Sequence, residues 1–100
     1  MNTNSGNQRR IVVINGAGGA LGSAIARQFA GEPNTDLLLS DISQAGLDAT
    51  VAGLPDLGAN VETTLADVSD EAQVQAVIDL AVQRYGRIDV LISNAGVLSP

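Results

Sequence analysis

Cysteine, histidine and lysine are all missing from this 100-residue sequence. Without cysteine there are no disulfides and no thiolate metal sites, and without histidine a zinc or histidine-based mechanism cannot reside here. Aromatic residues amount to one tyrosine and one phenylalanine, 2% of the chain. The core must therefore be built from Val, Leu, Ile and Ala, which favours alternating strands and helices over an aromatic-rich sandwich. Five arginines face eleven carboxylates, for a net charge of -6. That balance argues against nucleic acid and anionic membranes as partners. No apolar stretch reaches the ~18 residues a membrane span requires, so Gly18-x-x-x-Gly22 is not a transmembrane packing motif. Arg9-Arg10 precedes an apolar run, but Asn15 and the glycines interrupt it and no small-residue cleavage site follows, so a cytoplasmic location is expected.

What is present fits one small domain: 45% of the residues are hydrophobic and the mean hydropathy is positive. The polar residues 1–10 read as a flexible leader, and residues 11–100 as the domain. Its organising stretch is Ile11-Val12-Val13-Ile14-Asn15-Gly16-Ala17-Gly18-Gly19-Ala20-Leu21-Gly22. Four β-branched residues in a row suit a strand buried on both faces, as at the centre of a parallel sheet. Gly16, Gly18 and Gly19 let the backbone turn sharply and let a diphosphate come close, while Gly22 lets the following helix pack on the sheet. That helix would turn its free N–H groups and positive dipole end toward the diphosphate. The strict G-x-G-x-x-G fingerprint fails by one place, since Leu21 stands where the third glycine is expected. An ordinary tight connection remains the alternative for this stretch taken alone.

From residue 20 to about residue 30, Leu21, Ala24, Ile25 and Phe29 recur at helical spacing, and Gly31 with Pro33 stops the helix. A short buried strand follows from Asp36 and ends on the carboxylate of Asp41. Ser43 is expected to cap a helix through Leu47, Val51 and Leu54, which Gly46 weakens and Gly53 and Pro55 end. The stretch from Asn60 to Ala66 alternates as a strand nearer a sheet edge would, with Asp67-Val68 closing it. Ser69 is expected to cap a third helix carrying Val74, Val77, Ile78, Ala81 and Tyr85 on one face, ended by Gly86. A fourth strand, Ile88-Asp89-Val90-Leu91-Ile92, leads into Ser93-Asn94-Ala95-Gly96.

Strand and helix alternate throughout, which predicts an α/β fold with a doubly wound parallel sheet of Rossmann type, strand order 3-2-1-4 and incomplete. Right-handed crossovers then put the first two helices on one face and the third on the other. The order reverses between the first and fourth strands. The glycine loop and the Asn94-Ala95-Gly96 turn would thus lie side by side at the carboxyl edge, where such sheets bind ligands.

On these motifs the chain, from Ile11 to Gly96, resembles the N-terminal half of a short-chain dehydrogenase/reductase. The loop is similar to the classical T-G-x-x-x-G-x-G, with Asn15 for the threonine and Ala20 for the middle glycine. Gly16, Gly19 and Gly22 also fit the G-x-x-G-x-x-G of the extended branch. Asp67-Val68 resembles the aspartate pair that meets the adenine, and Ser93-Asn94-Ala95-Gly96 resembles N-N-A-G, with Ser93 departing at the first place. Together these favour the classical branch. The resemblance implies a cofactor site made of Gly16, Gly18, Gly19, Ala20, Leu21, Gly22, Asp41, Asp67, Val68, Asn94, Ala95 and Gly96. It also implies a small alcohol or carbonyl substrate and a homo-oligomer when complete. The cofactor is expected to be NAD. Asp41 stands 19 residues after Gly22, where an acid receives the ribose hydroxyls, and no Arg or Lys flanks it to meet a 2'-phosphate.

Each polar signal has a plainer alternative. Asp67 and Asp41 are also residues that cap helices, and Asn94 and Gly96 are also turn formers. Tyr85 and Phe29 lie on apolar helix faces and read as core. The family's serine and Tyr-x-x-x-Lys, in which a lysine lowers the tyrosine pKa for proton transfer, have no counterpart in this chain. The residues therefore describe the cofactor-binding half of an oxidoreductase, inactive by itself. A non-catalytic nucleotide-binding sensor, or a doubly wound domain for a flavin or nucleoside, would share most of these features.

Overall fold

The computed structural model describes residues 9–93. Its elements are β1 (Arg10–Asn15), α1 (Ala20–Ala30), β2 (Thr35–Asp41), α2 (Gln44–Ala52), β3 (Val61–Leu65), α3 (Glu71–Tyr85) and β4 (Val90–Ser93). The four strands form one parallel sheet in the order β3-β2-β1-β4, as the alternation of elements predicts. β1 is hydrogen-bonded on both sides, and all its residues after Arg10 are buried. A strand in that position has no solvent face, so it reads as a continuous apolar run.

Side chains of β1 and β2 alternate between two cores. Val12, Ile14, Leu37 and Leu39 pack with Ala26, Ala30 and Leu47 of α1 and α2, whereas Val13 and Leu38 meet Val77 and Ala81 of α3 on the other face. This is the two-sided winding that right-handed crossovers produce.

The helices depart from the sequence expectation in two buried faces and one cap. In α1 the buried positions are Gly22, Ala26 and Ala30, while Leu21 is 63% exposed; small residues four apart let the helix lie closer to the sheet than leucine would allow. In α2 the buried pair is Leu47 and Thr50, and Val51 is exposed. Thr50 holds its place because its hydroxyl donates to the Ala17 carbonyl oxygen at 2.8 Å, which satisfies a buried polar group. In α3 the cap is Asp70 rather than Ser69: the Asp70 carboxylate accepts from the Ala72 N–H, and Ser69 instead donates its N–H and hydroxyl to Asp67. Leu65, on edge strand β3, is likewise exposed where the alternation would have buried it.

Charge gathers at the amino edge of the sheet. Arg9 pairs with the buried carboxylate of Asp36 at 2.9 Å, and Asp36 also accepts from the Asn60 backbone and amide. Arg87 grips Asp89 with two nitrogens, and Asp89 accepts the Ile11 N–H at 2.8 Å. Arg10 pairs with Glu32 and stacks over Phe29.

Among the described residues β4 is an edge strand, with Leu91 46% exposed and Val90 and Ile92 half-buried. A free apolar edge offers unpaired backbone groups to another chain. Purified residues 1–100 are expected to self-associate or unfold in part. Analytical ultracentrifugation and calorimetry check this; a compact monomer with one sharp melt would contradict it.

Candidate functional site

The carboxyl ends of β1 and β2 and the starts of α1 and α2 converge on one ledge. β1 delivers the chain into Gly16, whose φ of 83° is a left-handed conformation that favours glycine. The Gly16 and Ala17 N–H groups both donate to the Ser40 carbonyl oxygen, at 2.8 and 2.9 Å, which ties the loop to β2. A side chain at Gly22 would collide with the Gly16 carbonyl oxygen. Glycine there is thus required by the closeness of helix and loop.

The start of α1 differs from those of its neighbours. Ser43 caps α2 by accepting from the Gly46 N–H at 3.0 Å, and Asp70 caps α3, but no side chain caps α1 at Gly19. A helix leaves its first N–H groups unsatisfied. The Gly19 N–H donates to the Gly16 carbonyl oxygen at 3.3 Å, and Ala20 and Leu21, the first residues of α1, are exposed, which leaves their donors and the positive end of the dipole available to a diphosphate.

Asp41 stands at the end of β2 and touches this loop directly. One carboxylate oxygen accepts the Gly18 N–H and the other accepts the Ser43 N–H, both at 2.9 Å. Each oxygen keeps a further lone pair for an outside donor such as a ribose hydroxyl. Gly18 lies so close that a Cβ on it would come within 2.9 Å of the Asp41 carboxyl carbon and 3.1 Å of the Gly46 backbone. Gly46 therefore belongs to the ledge. In sequence it reads only as a weak point of α2, because its role lies in a contact across the chain.

Asp67 and Val68 follow β3. Asp67 is half-buried, and its carboxylate accepts the Ser69 hydroxyl at 2.7 Å and the Ser69 N–H at 2.9 Å; the hydroxyl, then the N–H, hold its pKa below the usual carboxylate value. Among the described residues no hydrogen bond joins this pair to the glycine loop. Val68 instead borders a cleft of about 710 Å³ shared with Glu71, Ala72, Val74, Gln75 and Ser93. Asn94, Ala95 and Gly96 lie outside the described residues.

One feature of the ledge is absent from the sequence reading. Asn15, fully buried, accepts the Ser40 hydroxyl at 2.7 Å and donates its amide to the Ser93 hydroxyl at 3.1 Å. The three residues occupy matching register positions at the ends of β2, β1 and β4. Only the departures of Asn15 and Ser93 from the family motifs could have hinted at the contact.

Comparison with known proteins places this geometry. The short chain dehydrogenase family model matches residues 10–100. Levodione reductase from Leifsonia aquatica is 44% identical over 90 residues, covering 88% of this chain and 33% of that protein. A 3-oxoacyl-[acyl-carrier-protein] reductase from Thermotoga maritima is 38% identical over 88 residues, covering 88% of this chain and 35% of that protein. The crystal structure of levodione reductase superposes with a TM-score of 0.82 over 90% of this chain and 35% of its own. That of a short chain dehydrogenase/reductase from Burkholderia phymatum in complex with NAD is 39% identical, with a TM-score of 0.79 over 90% of this chain and 32% of its own. The chain thus spans about a third of the length of the relatives it matches.

Tyr85, the sole tyrosine, stands apart from the ledge. It ends α3 and donates its hydroxyl to Glu62 near the start of β3 at 3.1 Å. Partial burial, then the hydrogen bond to Glu62 and the Glu62 charge, push its pKa up to about 12, the opposite of what a catalytic base requires. Because the folded value lies above the unfolded one, the contribution to stability is complete below pH ~10 and is lost as the pH rises toward 12. Absorbance titration of the native chain should give a phenol midpoint clearly above 10, falling to ~10 in denaturant. A native midpoint at the unfolded value would show that the contact with Glu62 is not made.

Proposed function

The chain belongs to the short-chain dehydrogenase family, and from that membership we propose that it is the NAD(H)-binding portion of an oxidoreductase. The complete protein passes a hydride between the nicotinamide and the carbon of a small alcohol or carbonyl compound. The observation that carries this reading is the pairing of an uncapped helix start with the Asp41 carboxylate 2.9 Å from the Gly18 N–H.

In this reading Gly16, Gly18, Gly19, Ala20, Leu21 and Gly22 cradle the diphosphate, which the close backbone and the free N–H groups fit. Asp41 accepts the hydroxyls of the adenine ribose. Asp67 and Val68 bound the adenine, and Asn94, Ala95 and Gly96 complete the site where the strand order reverses. The bound cofactor supplies hydride chemistry. Residues 11–100 act as a single binding unit, and proton transfer to or from substrate oxygen falls to a group outside them. No lysine is present to lower a tyrosine pKa, and the one tyrosine is held protonated at the far end of the sheet. The complete protein is a homo-oligomer in the cytoplasm.

Charge supports NAD over its phosphorylated form. Arg9, Arg10 and Arg87 surround a cleft of about 510 Å³ at the amino edge of the sheet, away from the ledge. Arg84 is paired with Glu62. A 2'-phosphate beside Asp41 would meet a like charge, and such juxtaposition costs on the order of several kcal/mol. Relatives in complex with NAD agree with this preference.

The protein as encoded is therefore expected to prefer NAD by about a hundredfold or more. Asp41→Ser should reduce that ratio at least about tenfold, mainly by weakening NAD, because the substitution removes both the ribose acceptor and the bond to Gly18. Calorimetric titration of both cofactors into wild type and variant measures it. Equal wild-type affinities, or a ratio unmoved by the substitution, would remove Asp41 from this role.

A further inference from the structure

One peptide group of the glycine loop is held at both of its poles by side chains from elsewhere in the chain. The Ala17 carbonyl oxygen accepts the Thr50 hydroxyl at 2.8 Å, and the Gly18 N–H donates to Asp41 at 2.9 Å. Among the described residues no backbone N–H donates to that carbonyl oxygen. Thr50 is buried and lies 33 residues further along the chain. A threonine inside a helix commonly turns its hydroxyl back to a carbonyl of its own helix; here the hydroxyl leaves α2 for the loop.

Space explains why such a hold is needed. A Cβ on Gly18 would lie 2.9 Å from the Asp41 carboxyl carbon, and one on Gly46 would lie 3.1 Å from the Gly18 carbonyl oxygen. Only bare backbone fits between Asp41 and α2, and glycine, which fits, is also the residue with the widest choice of backbone conformations. The peptide joining Ala17 to Gly18 is planar, so its C=O and N–H point in opposite directions. Bonds at both poles fix its rotation, and loss of either one leaves it free to turn.

We propose that Thr50 is a positioning residue for the adenine ribose: it holds the Ala17 carbonyl oxygen, which aims the Gly18 N–H at Asp41 and so orients the carboxylate toward the ribose hydroxyls. The inference rests on the cofactor reading above and adds to it a buried residue of α2. With Gly18 turned away, the Ser43 N–H on the other carboxylate oxygen remains as a single anchor, about which the carboxylate can swing.

Calorimetric titration of the protein as encoded with adenosine diphosphate and with its 2'-deoxy form tests this. Wild type is expected to bind the hydroxylated nucleotide tighter by about tenfold or more. Thr50→Val, which keeps the shape and removes the hydroxyl, should bring the two within about threefold by weakening the hydroxylated one. Thr50→Ser, which keeps the hydroxyl, should hold the ratio within about twofold of wild type. A residue that only supports the fold would weaken both nucleotides alike. An unchanged ratio in Thr50→Val, or one lost equally in Thr50→Ser, would overturn the proposal; should Thr50→Val fail to fold, Thr50→Ala takes its place under the same expectations. Hydrogen exchange followed by NMR in the ligand-free protein gives a second reading. The Gly18 amide should exchange at least about tenfold faster in Thr50→Val than in wild type or Thr50→Ser, while that of Val13, inside β1, changes less. An unmoved Gly18 rate would also overturn the proposal. Should wild type fail to tell the two nucleotides apart, the cofactor reading of Asp41 falls by itself, and the Gly18 rate still decides whether Thr50 holds the peptide.

Discussion

The arrangement depends on one close approach: the start of α1 lies against the Gly16 carbonyl oxygen with no room for a side chain at Gly22. Because β1 is hydrogen-bonded on both sides, the strand cannot shift to relieve a larger residue there. The helix must come in close, and the small residues Gly22, Ala26 and Ala30 allow it. The uncapped helix start is then left facing outward over the sheet edge, held in place by Ser40 and Asp41 from β2. Packing thereby makes a set of oriented donors available before any ligand arrives, which limits the ordering cost of binding.

Electrostatics follow the same polarity. At the amino edge, arginines pair with Asp36, Glu32 and Asp89. The Arg10–Glu32 and Arg87–Asp89 pairs are exposed enough to be individually worth little to stability, but all three pairs settle three of the five cations away from the ligand edge. At the carboxyl edge the charge near the loop is the Asp41 carboxylate, set against a helix dipole of opposite sign. A cofactor whose diphosphate meets the dipole and whose ribose meets the carboxylate satisfies both. The tyrosine lies at the far end, where burial and then the bond to Glu62 push its pKa up to about 12.

Much of this was legible in the sequence, and the reasons are specific. The run from Ile11 to Ile14 announced a central strand because such a strand has no solvent face, and glycine after it announced the turn. Strand order followed from crossover handedness applied to a regular alternation. What escaped were features that need a neighbour to be seen. In α1 the apolar spacing selects Leu21, Ala24, Ile25 and Phe29, whereas the buried stripe runs through Gly22, Ala26 and Ala30; in α2 it selects Val51, whereas the buried residue is the hydrogen-bonded Thr50. The cap of α3 moved from Ser69 to Asp70 because Asp67 draws both donors of Ser69. Gly46 reads as a flaw in α2 because its reason, the Gly18 backbone lying against it, is a contact across the chain. The bridge from Asn15 to Ser93 required the register of two strands far apart in the chain.

A crystal structure of the protein as encoded with NAD bound tests the account most directly. The diphosphate is expected over the amides of residues 20–22 at the start of α1, with both adenine-ribose hydroxyls on the Asp41 carboxylate and its bond to Gly18 retained. A nucleotide bound elsewhere, or one whose ribose leaves Asp41 untouched, would contradict it.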